Sequence, residues 1–543
     1  MFRMELTKKI VFFFLLVSSL SYSQNFYFEV VFKNKGNTSL SNPQQFLSPS
    51  SLEKKNKRGV SVDYYDVPVD ASYISTLKQQ GVEVIKQSKW RNSALVLTND
   101  TSLIAPLRNL PFVRSAEYFC QATGVLKMQS KFNSEETQWY THTYAESMNQ
   151  VSMLNGHFLH ERGFSGEGID IAIFDAGFPK IFSAITLLET NEQIKSTFDF
   201  VDNDISVFEK DNHGAMVLSV MASNDAYMYG AAPKANYHLF ITEDVATESL
   251  LEEYNWLMAA EMADSIGVDV VNSSLGYTTF DDVSTNHTYA DMDGKTTLVT
   301  QAANMLFRKG VLVVASAGNQ GADSWHYIGA PSDGDSVLAV GAVDKNENYV
   351  AFSSTGKSFD GDVKPNVSAQ GQQTVIAHTS TGYFAASGTS FSGPLVAGLS
   401  ACYWQAFPNL KNWELKNEIE QNASRYNSPD SLLGFGLPNY MKMYMKARPS
   451  DEYTYGQSFL ISLRNNPFTS AVGIELYSAV AQEVRFVLLD VNGKTICDET
   501  KEVQENQYLI FGLENLERIS SGMYFLRVYG EKGEWLSRKV LKK

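Results

Sequence analysis

Between residues 144 and 448, short runs of branched apolar residues alternate with amphipathic stretches, and this alternation restricts the fold more than any other feature of the chain. The runs 169–174, 237–241, 268–272, 311–315 and 337–343 are too short for buried helices. They are apolar almost throughout, as strands covered on both faces must be. Helical periodicity occupies 213–222, 248–265 and 298–309. Strands and helices in this order predict an α/β domain, a mainly parallel sheet flanked by helices. In such sheets functional groups collect at the carboxyl ends of the strands, and Asp175 and Asn319 each follow a predicted strand.

Ser390 sits in Gly388-Thr-Ser-Phe-Ser-Gly-Pro394, a glycine-framed turn that runs into an apolar helix marked by Leu395, Val396, Ala397, Leu399 and Trp404. A serine in the first turn lies among backbone N–H groups without intrahelical partners, a setting that stabilises a developing oxyanion. Pro394 is read here as an opening-turn proline, whose missing N–H would have been unpaired in any case. Asp175 closes the strand Gly168-Ile-Asp-Ile-Ala-Ile-Phe-Asp175, and His213 opens a helix in Asp211-Asn-His-Gly214. Asn319 lies in Ser316-Ala-Gly-Asn-Gln-Gly321, after the run 311–315. Each alone has a structural reading: a capping serine, a turn carboxylate, a packed imidazole, a polar turn. Together they supply a nucleophile, a base, a group that orients the base, and an oxyanion donor.

The chain order Asp, His, Asn, Ser and the residues around them resemble the subtilisin-like serine proteases, the subtilase family. The resemblance implies a catalytic triad of Asp175, His213 and Ser390, with Asn319 in the oxyanion hole. Val270-Val-Asn-Ser-Ser-Leu-Gly276 is similar to the family's substrate-pairing strand, so Ser274, Leu275 and Gly276 are expected to hold a peptide backbone. Ala330-Pro331 with the run 337–343, and Gly434-Phe-Gly-Leu-Pro-Asn439, are also family-like. Ala176 stands where a serine or threonine is common, Ala215 where a threonine often follows His-Gly, and Phe391-Ser-Gly393 where Met-Ala-Ala is usual. These departures remove two hydroxyls near the triad and no catalytic group. An α/β-hydrolase would place its nucleophile first and within Gly-x-Ser-x-Gly, whereas Ser390 comes last and lacks the second glycine.

With 543 residues, 44% of them apolar, the chain can bury several cores. A net charge of −15 and a pI near 5.1 give no basic footprint for nucleic acid and no attraction to an anionic membrane. Lys8-Lys9, the apolar run 10–17 and the small residues before Gln24 predict a secretory signal over 1–23. No later stretch approaches the roughly 18 to 20 apolar residues needed for a membrane span. The three cysteines, Cys120, Cys402 and Cys497, are too widely separated for a disulfide framework or zinc spacing. No metal is required by the expected chemistry. Asp199, Asp202, Asp204, Asp291 and Asp293 offer oxygens to structural calcium, but form no complete loop motif, and solvated turns are the simpler reading.

Residues 24–120 read as a small α+β unit, with strands at 26–32, 82–86, 94–98 and 112–118, helices at 71–80 and 101–109, and a polar interval after the first strand. Its position between signal and peptidase segment suggests an inhibitory propeptide, the alternative being an accessory domain. The aperiodic stretch 121–143 is the expected linker and maturation site. The catalytic domain is expected over 144–448. Residues 449–543 predict a β-sandwich from short strands and the turn Asp490-Val-Asn-Gly493. Asn466-Pro467, Ser521-Gly-Met-Tyr524 and Lys539-Val-Leu-Lys-Lys543 resemble the C-terminal sorting domains that direct Bacteroidota proteins to type IX secretion; a ligand-binding sandwich is the alternative. The expected partners are protein or peptide substrates, the chain's own propeptide and the type IX machinery. An exported endopeptidase and a cell-surface binding protein on a protease-like scaffold are the two function classes, and the complete residue set favours the enzyme.

Overall fold

The computed structural model describes residues 24–122, 145–179, 188–225, 228–378, 382–447, 453–456, 459–478, 480–505, 507–530 and 533–543. The expected signal and nearly all of the expected linker lie outside the described residues. The chain divides into two units, residues 1–39 with 67–126, and residues 40–66 with 127–543.

In chain order the first elements are β1 (Phe26–Phe32), α1 (Pro49–Arg58), α2 (Ala71–Gln79), β2 (Glu83–Ser88), β3 (Ser93–Thr98), α3 (Ile104–Arg108) and β4 (Val113–Gln121). The strands form an antiparallel sheet of order β2-β3-β1-β4. Phe28, Val30 and Phe32 alternate along β1 into one core with Ile74 and Leu77 of α2 and Leu107 of α3, as the period of a one-sided sheet requires. The interval after β1, expected to be polar and irregular, contains α1. This helix belongs to the second unit. Its buried positions are Ser51 and Lys55, so no apolar stripe announces it.

The second unit continues with α4 (Ala145–Ser152), α5 (His157–Glu161), β5 (Asp170–Asp175), β6 (Ile194–Asp199), α6 (His213–Ala222), β7 (Asn236–Ile241), α7 (Leu251–Ile266), β8 (Val270–Ser273), α8 (Leu298–Arg308), β9 (Leu312–Ser316), β10 (Leu338–Val343) and β11 (Val367–Gln370). After the hairpin β12 (Thr374–His378) and β13 (Gly382–Ala386) come α9 (Thr389–Ala406), α10 (Asn412–Gln421) and α11 (Tyr440–Ala447). Seven parallel strands form the sheet β11-β10-β9-β8-β5-β7-β6. Successive side chains of β5 serve its two faces. Ile171 and Ile173 enter the core shared with α6 and α9, whereas Phe174 meets Trp256 of α7 edge-on at 5.1 Å between ring centroids. Two strands had no clear sequence signal: β6 is largely half-buried at the sheet edge, and β11 interrupts its short apolar pattern with Ser368 and Gln370. Among the described residues, no helix is long and apolar enough to cross a membrane.

The tail comprises β14 (Tyr453–Gly456), β15 (Phe459–Leu463), β16 (Val472–Ser478), β17 (Gln482–Asp490), β18 (Thr495–Val503), β19 (Gln507–Leu513), β20 (Gly522–Gly530) and β21 (Gly533–Lys542). Two antiparallel sheets, β14-β15-β16-β19 and β18-β17-β20-β21, close on a common core that includes Ile474, Leu476, Phe486, Leu488, Leu526 and Val528. This is the expected sandwich. Its β17–β18 turn forms as expected: Gly493 has a φ of +81°, and Asp490 Oδ1 accepts from the N–H groups of Asn492 and Lys494.

Candidate active site

Asp175, His213, Asn319 and Ser390 all lie at the carboxyl end of the sheet or on helix starts that face it. Asp175 is the last residue of β5 and is fully buried. Its Oδ1 accepts from Ala176 N–H and from His213 Nδ1, both at 2.8 Å, which fixes the proton of the neutral imidazole on Nδ1. Asp175 Oδ2 has no hydrogen-bond partner among the described residues. Ala176, where the family's usual side chain would bring a hydroxyl, is the adjacent residue. His213 opens α6, and its N–H donates to Asp211 Oδ1 at 2.8 Å. The helix start can lie this close to the strand end because Gly214 lacks a Cβ. A Cβ there would stand 2.6 Å from Gly177 O and 2.8 Å from Asp175 Cβ.

Ser390 is in the first turn of α9, as expected, and is 5% exposed. Pro394 departs from its expected place. It lies inside the helix, beyond the opening turn, where its missing N–H would have been paired with the carbonyl of Ser390. The carbonyl so freed is not left bare. Ser274 Oγ donates to it at 3.0 Å, and Ser390 Oγ stands 3.5 Å from Ser274 O. Ser274, expected from its motif to hold substrate, is seen here to secure the Ser390 turn. Leu275 is buried and Gly276 exposed; beyond them Tyr277 and Ala330 form a two-way backbone bridge, with Tyr277 N–H donating at 2.9 Å.

Asn319 is oriented by a residue that sequence reasoning passed over. Thr389 donates to Asn319 Oδ1 through its N–H at 2.8 Å and its hydroxyl at 2.9 Å, and the same hydroxyl accepts from Gly318 N–H at 3.2 Å. A backbone donor on Oδ1 fixes which way round the carboxamide lies. Its Nδ2 is thereby left as the donor available to a ligand. The signal for Thr389 was present, a hydroxyl residue next to the nucleophile, but its partner lies 70 residues away. Phe391 is buried and its ring centroid stands 6.2 Å from that of His213.

The carboxylates considered for calcium are engaged within the chain. Lys210 Nζ bridges Asp199 and Asp202 at 2.7 Å each, and Asp204 pairs through its backbone with Asp199. Hydrogen bonds from Thr288 hold the Asp291 carboxyl below the usual carboxylate range, and Asp293 accepts from the N–H groups of Lys295 and Thr296. None of the three cysteines is in a disulfide, and burial raises the Cys402 thiol pKa well above its ordinary value.

Three segments of the chain match known families. Residues 166–436 match the subtilase family, residues 27–137 the peptidase S8 propeptide domain of Bacteroidota, and residues 465–543 a secretion system C-terminal sorting domain. Subtilisin DY of Bacillus licheniformis is 29% identical over 294 residues, 53% of this chain and 95% of its own. Subtilisin E of Bacillus subtilis (strain 168) is 27% identical over 401 residues, 73% of this chain and 91% of its own. Among solved structures, the epidermin leader peptide processing serine protease of Staphylococcus aureus has the same fold, with a TM-score of 0.53 and 16% identity over 78% of this chain and 99% of its own. The chain is therefore a member of the subtilase family of peptidase S8, with a Bacteroidota-type propeptide ahead of its peptidase domain and a secretion sorting domain behind it.

Proposed function

We propose that this serine endopeptidase cuts peptide bonds through Asp175, His213 and Ser390, with Asn319 and the Ser390 N–H as oxyanion donors. Ser390 Oγ attacks the substrate carbonyl while His213 Nε2 takes its proton, and His213 then returns a proton to the leaving amine. Asp175 holds the imidazole through Nδ1 and stabilises the imidazolium once formed. The tetrahedral oxyanion accepts from Asn319 Nδ2 and from the start of α9. The single observation that carries this reading is the Asn319 carboxamide: its oxygen is occupied by Thr389 beside the nucleophile, so only its donor end is free for chemistry. Ser274, Leu275 and Gly276 continue β8 and would pair with an extended substrate backbone, the exposed Gly276 leaving room for it. The mechanism uses no metal. Maturation is placed in the 121–143 linker, after export removes 1–23.

Labelling the processed protein with a serine-reactive phosphonate tests the reading. Wild type will label and Ser390→Ala will neither label nor cleave; full proteolysis by the purified variant would exclude Ser390. Asn319→Ala will lower kcat by about 10² to 10³, the usual loss of one oxyanion donor. A change below about threefold would remove Asn319 from that role. A binding protein on this scaffold would give no labelling at all.

A further inference from the structure

At the end of the sheet opposite the candidate active site, the prosegment helix α1 is seated on the catalytic unit. Ser48 caps α1 by accepting from Ser51 N–H, and its hydroxyl also donates to Ile266 O at 2.8 Å; Ser51 Oγ donates to Asp264 O at 2.7 Å. Lys54 spends its three ammonium donors on this contact, on Asp170 at the start of β5, on Asp269 before β8 at 2.6 Å, and on Gly267 O at 2.8 Å. Lys55 pairs with Asp264, and Arg58 with Asp269 and with Gly310 O, the latter at 3.0 Å. Charge also runs in the other direction. Lys309 of the catalytic unit pairs with Asp63 at 2.7 Å and with the fully buried Asp66 at 2.9 Å.

The receiving surface is shaped for this helix. Gly267 ends α7 with a φ of +88°, and a Cβ on it would lie 2.5 Å from Ser51 N. The Arg58 guanidinium lies over the Trp404 ring at 4.4 Å, so the contact reaches the far end of the helix that carries Ser390 in its first turn. Ion pairs buried to this degree are weakly screened by salt, and stripping one partner leaves a buried charge behind.

We propose that α1 is an anchor at the amino end of the sheet, on the face away from Ser390, which keeps the prosegment on the catalytic domain after the linker is cut. The proposal rests on the reading of 24–120 as an inhibitory prosegment and of 121–143 as its maturation site. The remainder of the prosegment is then tethered to the catalytic domain through α1.

The test uses full-length Ser390→Ala protein with a site for a sequence-specific protease placed in the 121–143 linker, so that no self-digestion intervenes. After the cut, the prosegment is expected to co-elute with the catalytic unit on gel filtration, with the amides of 49–58 still protected from hydrogen exchange. Lys54→Ala/Lys55→Ala/Arg58→Ala in the same background is expected to speed dissociation at least tenfold. Exchange of the 49–58 amides at free-peptide rates in the cut, otherwise unaltered protein would overturn the proposal, as would an unchanged dissociation rate in the triple variant. If the triple variant does not fold, the exchange measurement still decides. None of these readouts depends on catalysis, whereas failure of the catalytic reading would appear in the phosphonate labelling of wild type.

Discussion

The Ser390 carbonyl shows how one missing proton donor is offset at a distance. Pro394 removes the N–H that would have reached it, and the Ser274 hydroxyl substitutes at 3.0 Å. Measured in a Ser390→Ala background to prevent self-digestion, Ser274→Ala will destabilise the protein by about 1–3 kcal/mol, the cost of an unsatisfied buried polar group. Adding Pro394→Ala supplies the helical N–H again and will recover most of that loss. A denaturation midpoint that does not recover would mean that the hydroxyl acts elsewhere. In the proposed mechanism Thr389 acts through Asn319, whose Oδ1 it holds. Thr389→Val keeps the N–H bond to Oδ1 but removes the hydroxyl bond, so kcat will fall by roughly five- to tenfold, the equivalent of about 1 kcal/mol, with KM nearly unchanged. A change confined to KM would contradict the positioning role.

At the scale of single elements, α5 carries a titratable group on which acid will act. Burial holds the His160 pKa down at about 4, against an ordinary 6.5. Its Nε2 lies 3.0 Å from Ala231 O and, as an N–H, donates to it, while Nδ1 has no partner among the described residues to accept a second proton's bond. Between these two pKa values the unfolded chain binds more protons than the folded one, so stability rises with pH across this window. This contribution is complete above about pH 6.5 and is lost as pH falls toward 4. Melting temperatures of the Ser390→Ala protein at pH 7.5, 5.5 and 4.5 will therefore decline more steeply than those of a Ser390→Ala/His160→Gln protein. Parallel declines would assign the acid sensitivity to other groups.

For the whole molecule, the tail is more than an appended address. Arg162, just after α5, donates to Glu475 of β16 at 3.1 Å and to the Tyr508 hydroxyl of β19, and its guanidinium stacks on Phe158 at 3.4 Å. Tyr477 of β16 is buried in the same core as α6 and α9. Deleting residues 451–543 will therefore do two things, stop secretion and lower the melting temperature of the remaining protein, while peptide hydrolysis by the folded fraction persists. Secretion of the truncated chain at wild-type level would remove the sorting role. Arg162→Ala in the full chain isolates the packing effect. Glu475 keeps Arg464 at 3.0 Å, so the expected cost is about 2 kcal/mol, that of a hydrogen bond to a charged group.

Five of the seven strands of the parallel sheet, and the helices that carry His213 and Ser390, were legible because their signals are local. Continuous apolar runs mark β5, β7, β8, β9 and β10, and the helix 213–222 coincides with α6. Asp175, His213, Asn319 and Ser390 stood out because each lies within two residues of a glycine, close to the start or end of such an element. The bonds that set the site's geometry and the seat of α1 were not legible. Thr389 to Asn319, Ser274 to Ser390 and Lys55 to Asp264 join residues 70, 116 and 209 positions apart, and no periodicity encodes such pairs. Helix α1 makes the contrast clearest. Its docking face is polar and charged, so its sequence looks like a solvated loop, and only the carboxylates at the amino ends of β5 and β8 turn it into a buried helix. Local periodicity thus determined the elements, and short motifs the candidate reactive groups, while the tertiary structure decided what orients those groups and where α1 is held, because both depend on charges and donors that meet only after the sheet has formed.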